Sequence, residues 1–253
     1  MTDTAALFEK TAVHDGHAGV MRASERARIT DTLAMIPAGT ESVLDVGCGP
    51  GTLIHHMDFK KVYGTDLGRV GLKHVKAPVA RSSILQLPFA SNSVDVVTCA
   101  EVLEHLNPVD LPQAARELYR VARRSVLITV PYREQLLEAS HRCPNCQHVF
   151  HLHGHQQSMD ETIIEPLFPK EAKVVTGFSW KSRRYWRPIL KMRTYGFGLW
   201  KYSPHTFCPQ CGHAEFENHE DRFLFRMFGW LSDIRYPLRN QDNWLLMRFD
   251  KPT

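Results

Sequence analysis

Runs of apolar residues, broken by polar and glycine-rich stretches, divide this chain into short elements. Residues 5–36 carry helical spacing and stop at Ile36-Pro37, since proline cannot continue a helix. A buried strand over 42–47 follows, then a helix near 51–58, a strand over 61–66, a weak helix near 68–75 and a short strand near 79–84. The run 94–99 predicts another strand, and a helix over 109–122 has Pro108 at its start. Ser-Val-Leu-Ile-Thr-Val (125–130) is a buried strand stopped by Pro131, and alternating positions in 173–180 and 244–249 predict two more strands. Strands that alternate with helices predict an α/β protein, a mostly parallel seven-stranded sheet with helices on both faces.

The strand assignments expose two insertions and a domain order. A core occupies 1–133, an insertion 134–158, a core helix and strand 159–180, a second insertion 181–242, and the last strand 243–253. Both insertions leave from one edge of the sheet, at the carboxyl ends of strands. Ligands of open α/β sheets bind at that edge, so the insertions are expected to meet there and wall a site.

The first strand runs into Val43-Leu-Asp-Val-Gly-Cys-Gly-Pro-Gly51, with glycines at alternate positions. Such a loop turns sharply and lets backbone approach a ligand closely. Asp66, 19 positions after Gly47, ends the second strand, where a carboxylate accepts both hydroxyl hydrogens of a ribose. Further on come Leu-Pro-Phe (87–89), Asn-Ser-Val-Asp-Val-Val (92–97) and Glu-Val-Leu-Glu-His-Leu (101–106). With these motifs in this order, residues 20–132 resemble the class I S-adenosylmethionine-dependent methyltransferases. The resemblance implies a Rossmann-like sheet whose last two strands pair as an antiparallel hairpin at its edge. It places Asp45, Gly47, Gly49 and Gly51 around the methionine part of the cofactor, Asp66 with Leu67 at the ribose, and Ser83 and Ile84 at the adenine. Ser83 stands where the family often has Asp, which leaves the Ile84 backbone amide as the adenine contact. Glu101 is expected to touch cofactor or acceptor.

Composition adds the compartment and a metal. The net charge is +4 and 43% of residues are hydrophobic, enough for a full core. The chain shows neither a secretory signal nor a long uncharged apolar run, so a cytoplasmic protein without a transmembrane segment is expected. Its six cysteines are then thiols or ligands. Cys143-Pro-Asn-Cys146 lies in the first insertion and Cys208-Pro-Gln-Cys211 in the second. Two such knuckles supply four soft thiolates, which suit structural Zn²⁺ and would staple the insertions into a lid. The 61 residues between Cys146 and Cys208 exceed usual ribbon spacing, but the sheet would bring the insertions together. Cys48 and Cys99 read as small buried hydrophobes.

Methyl transfer is an in-line displacement, and a hydroxyl acceptor gains from a base near neutrality. His155 is the first candidate as base or acceptor contact, with His105 and His153 beside it, and Tyr132 is a candidate wall residue. From Ala172 to Ala214 there is no acidic residue, while Arg and Lys alternate with Trp, Tyr and Phe. A basic, aromatic wall suits a small anionic or sugar-containing acceptor; methylation at oxygen is expected, and the resemblance to zinc-knuckled methyltransferases implies glycan or secondary-metabolite synthesis. Two other readings stand beside this one: an RNA methyltransferase, and a zinc-ribbon binding module with a non-catalytic cofactor domain. The apolar segment 223–234 is either a buried lid helix or a peripheral membrane contact.

Overall fold

The computed structural model describes residues 21–204, 206–235 and 240–252. The expected helix of 5–36 is seen as α1 (Ala23–Ala34); its first part lies outside the described residues. Seven strands form the main sheet: β1 (Ser42–Val46), β2 (Lys61–Asp66), β3 (Val79–Arg81), β4 (Val94–Ala100), β5 (Ala122–Pro131), β8 (Lys173–Arg183) and β9 (Asn240–Asp250). Their order is β3-β2-β1-β4-β5-β9-β8. β1 to β5 pair in parallel, whereas β9 runs antiparallel to both β5 and β8. Strand order reverses between β1 and β4, the point at which open sheets of this kind bind ligands.

Alternation along β5 directs its two faces to different helices. Val126, Ile128 and Val130 pack in one cluster with Leu111, Ala114, Ala115 and Leu118, and those four belong to the helix Leu111–Val121. Thr129 points the other way, and its hydroxyl lies 3.2 Å from that of Thr32 on α1. The central strands are buried on both sides, as their β-branched runs require.

Two expected helices shrink to single turns. The 51–58 helix is only a 3₁₀ turn at Ile54–His56, because Gly49 and Gly51 sit at φ +51° and +86° and cannot start a right-handed helix there. The 68–75 helix is Arg69–Leu72, with Gly71 inside it. The last hairpin is longer than its sequence pattern. Pairing of β8 with β9 continues from Lys181↔Asp242 to Arg183↔Asn240, so the second insertion starts after Arg183.

A buried acid ties the amino end of β1 to β4. The Asp95 carboxylate accepts from the Ser42 hydroxyl and from the amides of Glu41 and Ser42, and pairs with Arg123. Burial opposes its ionisation, but Arg123 and these donors outweigh burial and hold the carboxyl at about 2. A depressed folded value gives stability that is present above the ordinary carboxylate pKa and lost as pH falls from about 4 towards 2. Asp95→Ala is expected to cost about 2–4 kcal/mol at neutral pH and to flatten that acid transition, read by urea unfolding at several pH values.

The two insertions meet over one edge of the sheet. The first contributes the hairpin β6 (Ser140–Arg142) and β7 (Val149–His151). Lys201 of the second donates its amide to Ser140, and its carbonyl lies 2.6 Å from His141 Nδ1. Phe216 packs on His141 and Phe150, at ring separations of 4.7 and 5.9 Å.

Candidate functional site

The glycine loop leaves β1 and folds back on the end of β2. Amides of Gly47 and Cys48 both donate to the Thr65 carbonyl, at 2.7 and 3.1 Å. Gly47 has φ +75°, and a Cβ there would lie 2.2 Å from Val102 Cγ2, so the loop is pressed against the segment after β4. Asp66 secures the turn from the other side. One carboxylate oxygen accepts the Gly49 amide at 2.8 Å and the other the Gly68 amide at 2.7 Å. Both oxygens keep lone pairs for a ligand's hydroxyls. Leu67, beside it, is exposed. Asp45 is buried and accepts from Thr98 at 2.7 Å; burial pushes its carboxyl up to about 7 against that bond. Ser83 is used locally, since its hydroxyl accepts the Leu85 amide at 3.2 Å. Ile84, next to it, packs half-buried against the core.

Beyond the loop, the same edge carries a cluster of acids and histidines. Glu101 follows β4 at φ +59°, an unusual conformation for a side chain of its size, and accepts from Trp244 Nε1 at 2.9 Å. Burial pushes its carboxyl up, with Arg28 acting against that. Glu104 is 0% exposed, and neither of its carboxylate oxygens has a hydrogen-bond partner. Burial, and then the charge of Glu101, push it well above the carboxylate range. His105 is hydrogen-bonded to the backbone of Gly154; burial and the charge of His155 hold its pKa down at about 3. Its ring stands edge-on to His155 at 4.7 Å.

The hydrogen bonds of His151 and Glu134 decide how His155 is presented. Amides of His153 and His155 both donate to His151 Nδ1, at 3.3 and 3.2 Å. The neutral ring therefore carries its proton on Nε2, which lies 3.4 Å from Glu134. The other Glu134 oxygen is 2.5 Å from His155 Nδ1. Burial works against ionising Glu134, but the two histidine donors outweigh it and hold the carboxyl far below its usual range. With Nδ1 on the Glu134 carboxylate, His155 turns its Nε2 towards Glu104, 4.0 Å away. His153 is exposed at the rim, its ring 5.9 Å from His155. Tyr132, the other wall candidate, packs on Phe178 at 5.1 Å. Glu134, His151, Glu104 and Arg28 did not stand out in the sequence. The available signal was that Glu101, Glu104 and His105 share one turn, while Glu134 follows the Pro131 strand stop at the same edge.

The four knuckle cysteines converge across the insertions. Cys143 and Cys211 are 3.6 Å apart at sulfur, Cys146 and Cys208 are 3.5 Å apart, and all four sulfurs lie within 4.8 Å of one another. The knuckles repeat one geometry. Cys143 donates its amide to His148 and accepts from Gln147; Cys208 donates to His213 and accepts from Gly212. Gln147 and Gly212 both have positive φ, +62° and +73°. A tetrahedral Zn²⁺ with Zn–S near ~2.3 Å sets its sulfurs about 3.8 Å apart, so these residues fit the ion. Cys48 and Cys99 are buried in the core, as expected of small hydrophobes.

The basic and aromatic stretch of the second insertion is not one wall. Arg193 is 1% exposed and lies on Tyr185 and Phe225 inside the lid's own core, with Ile189, Leu199 and Phe228. Arg184 is spent on the carbonyls of Tyr132 and Asp242, and Lys201 on Glu220. An aromatic cluster needs a filler for its centre, and a stacked guanidinium supplies it. The helix Phe223–Arg235 is two-sided: Phe225 and Phe228 are buried, whereas Phe223 and Trp230 are exposed. No described helix is long and apolar enough to cross a membrane.

The family described as a methyltransferase domain matches residues 44–130. The probable methyltransferase ltbC of Aspergillus luteorubrus is 30% identical over 105 residues, covering 33% of this chain and 37% of that protein. The mitochondrial arginine-hydroxylase NDUFAF5 of Mus musculus is also 30% identical over 105 residues, covering 38% of this chain and 30% of its own. The chain thus spans well under half the length of these curated relatives. Among solved structures, the N-methyltransferase NodS of Bradyrhizobium japonicum, in complex with S-adenosylhomocysteine, has a TM-score of 0.57 at 15% identity, covering 99% of this chain and 100% of its own. Motif order and sheet topology agree with these matches: the chain has the Rossmann-like fold of its methyltransferase neighbours, and residues 44–130 match the methyltransferase domain family.

Proposed function

We propose that this protein transfers a methyl group from S-adenosylmethionine to an oxygen of a small anionic or sugar-containing acceptor. The observation that carries this reading is the placement of two chemistries side by side. A glycine loop locked to Asp66 lies at the β1/β4 switch point and is pressed against the Val102 segment, whose Glu104 and His105 lie beside His155 of the first insertion. Asp66 would hold the ribose. Asp45, Gly47, Gly49 and Gly51 would surround the methionine, Leu67 would lie beside Asp66 at the ribose, and Ser83 and Ile84 would border the adenine. Glu101 would touch the cofactor or the acceptor. In the reaction the acceptor oxygen attacks the methyl carbon and the carbon–sulfur bond breaks. Its electron pair stays on sulfur, giving S-adenosylhomocysteine. The hydroxyl proton leaves on the side of His155, the acceptor contact, with His105 and His153 flanking it.

Cys143, Cys146, Cys208 and Cys211 would hold a structural Zn²⁺. A closed four-thiolate site does no chemistry; it fixes the lid over the acceptor. The relative that is an arginine-hydroxylase makes the reaction the point to test. An RNA acceptor draws less support, because Arg184 and Arg193 of the lid are engaged within the protein.

Calorimetry with S-adenosylhomocysteine is the first experiment. Binding at micromolar concentration is expected, and Asp66→Ala should weaken it at least ~10-fold, or about 1.4 kcal/mol. Absence of heat with the unaltered protein at millimolar ligand would remove the reading and favour a binding module.

A further inference from the structure

The acid–histidine cluster gathers three carboxyls, Glu101, Glu104 and Glu134, at one edge of the sheet. Glu101, Glu104 and Glu134 face one another's fields, and Arg28 is the cation whose charge reaches both Glu101 and Glu104. Glu104 is the sharpest case. It is 0% exposed, and neither of its oxygens meets a donor. Burying a carboxyl without partners costs several kcal/mol, so such a group marks a ligand that completes it.

We propose that Glu104, His105 and His155 bind a divalent cation. Resting on the methyltransferase reading, this assigns the ion to the acceptor side of that site. The ligand atoms of these three residues all lie within 4.8 Å of one another. In octahedral coordination at ~2.1 Å, neighbouring ligands stand about 3 Å apart, so closing the 4.0 Å between His155 Nε2 and Glu104 takes only a small carboxylate movement. The histidines are already prepared. A metal-bound histidine usually gives its other ring nitrogen to a carboxylate or a backbone carbonyl. His155 gives Nδ1 to Glu134, which His151 steadies in turn, and His105 bonds to the backbone of Gly154.

Glu134 and His151, with His155, form a second group that could ligate. Its hydrogen bonds speak against it. Two amides occupy His151 Nδ1, so its Nε2 carries a proton and cannot coordinate. Glu134 and His151 are therefore positioning residues.

Two imidazoles and one carboxylate suit Mn²⁺ or Fe²⁺, unlike the four-thiolate zinc site, and leave coordination positions open. Acceptor oxygens fill those positions, which favours an acceptor with two adjacent oxygens. With the ion bound, His155 is a ligand and not a base. An acceptor hydroxyl held by the ion would lose its proton to water, in place of the route on the side of His155, because coordination would lower its pKa.

The test uses the full zinc-loaded protein with S-adenosylhomocysteine bound, titrated with Mn²⁺ and followed by the paramagnetic resonance signal of the free ion. One Mn²⁺ per chain is expected, competed by Mg²⁺ or Fe²⁺. E104Q, nearly isosteric, should abolish binding, and E134Q should weaken it ~10–100-fold. S-adenosylhomocysteine calorimetry on each variant reports an intact fold and cofactor site. Normal calorimetry with no Mn²⁺ bound at millimolar concentration overturns the metal and spares the methyltransferase reading. Mn²⁺ binding that E104Q leaves unchanged overturns the assignment as well, since the ion then sits elsewhere. Failure of calorimetry in the unaltered protein overturns both.

Discussion

Serine at Cys143 and Cys208 together is expected to release one zinc per chain and to loosen both insertions while the sheet stays folded. Sulfur separations of 3.5 and 3.6 Å sit close to the edge of a zinc tetrahedron. Beyond a few hydrogen bonds and ring contacts between the insertions, little apolar burial holds the lid. Its own apolar core is the small group Ile189, Leu199, Phe225 and Phe228 with a few half-buried neighbours, far below what a free-standing domain needs. Structural zinc in small knuckles contributes about 10–16 kcal/mol, comparable with the stability of a whole domain. Elemental analysis should fall from one zinc to none. Amide exchange in 134–158 and 184–235 should speed up by orders of magnitude, with the amides of β1, β4 and β5 unchanged. Full zinc content in the double variant would show that the four thiolates are not the site.

Gly47→Ala should be the most damaging single change near the cofactor. A positive φ costs an alanine about 1–2 kcal/mol. The added methyl also meets Val102 Cγ2 at 2.2 Å, so either the loop or the Val102 segment must move. That segment carries Glu101, Glu104 and His105, so the damage passes from the cofactor cleft to the cluster beside it. A loss of at least ~100-fold in S-adenosylhomocysteine affinity, about 3 kcal/mol, and a drop of several degrees in Tm are expected. Gly39→Ala separates the two causes. Gly39 also has a positive φ, +71°, but nothing lies within 4 Å of its Cβ position. It should lose a little stability and no cofactor affinity. Equal effects at both glycines would mean that the contact with Val102 is not what matters.

The strands were legible because each is a short β-branched run that must be buried on both faces. Val43, Leu44, Val96 and Val97 have no polar side to show, and all four are buried at 0% exposure. The parallel order followed from the alternation of elements, and the hairpin of β8 and β9 from the resemblance. The helix of 51–58 was misjudged because periodicity does not register the positive φ of Gly49 and Gly51, which holds the chain in a loop. The basic stretch was only partly legible for a related reason. Composition reports that Arg193 is cationic, but it does not report that tertiary packing places the guanidinium between Tyr185 and Phe225.

By itself the sequence determined the glycine loop, the acid that follows it and the two cysteine knuckles. Each is a local pattern whose spacing alone confines its chemistry. Only the tertiary structure decided that Glu134 and His151 stand behind His155, and that Glu104 is left buried without a donor. These residues come from the turn after β4, the end of β5 and the inserted hairpin. A hydrogen bond forms over about 3 Å whatever the separation along the chain, so such partners become visible only once the strands are laid side by side.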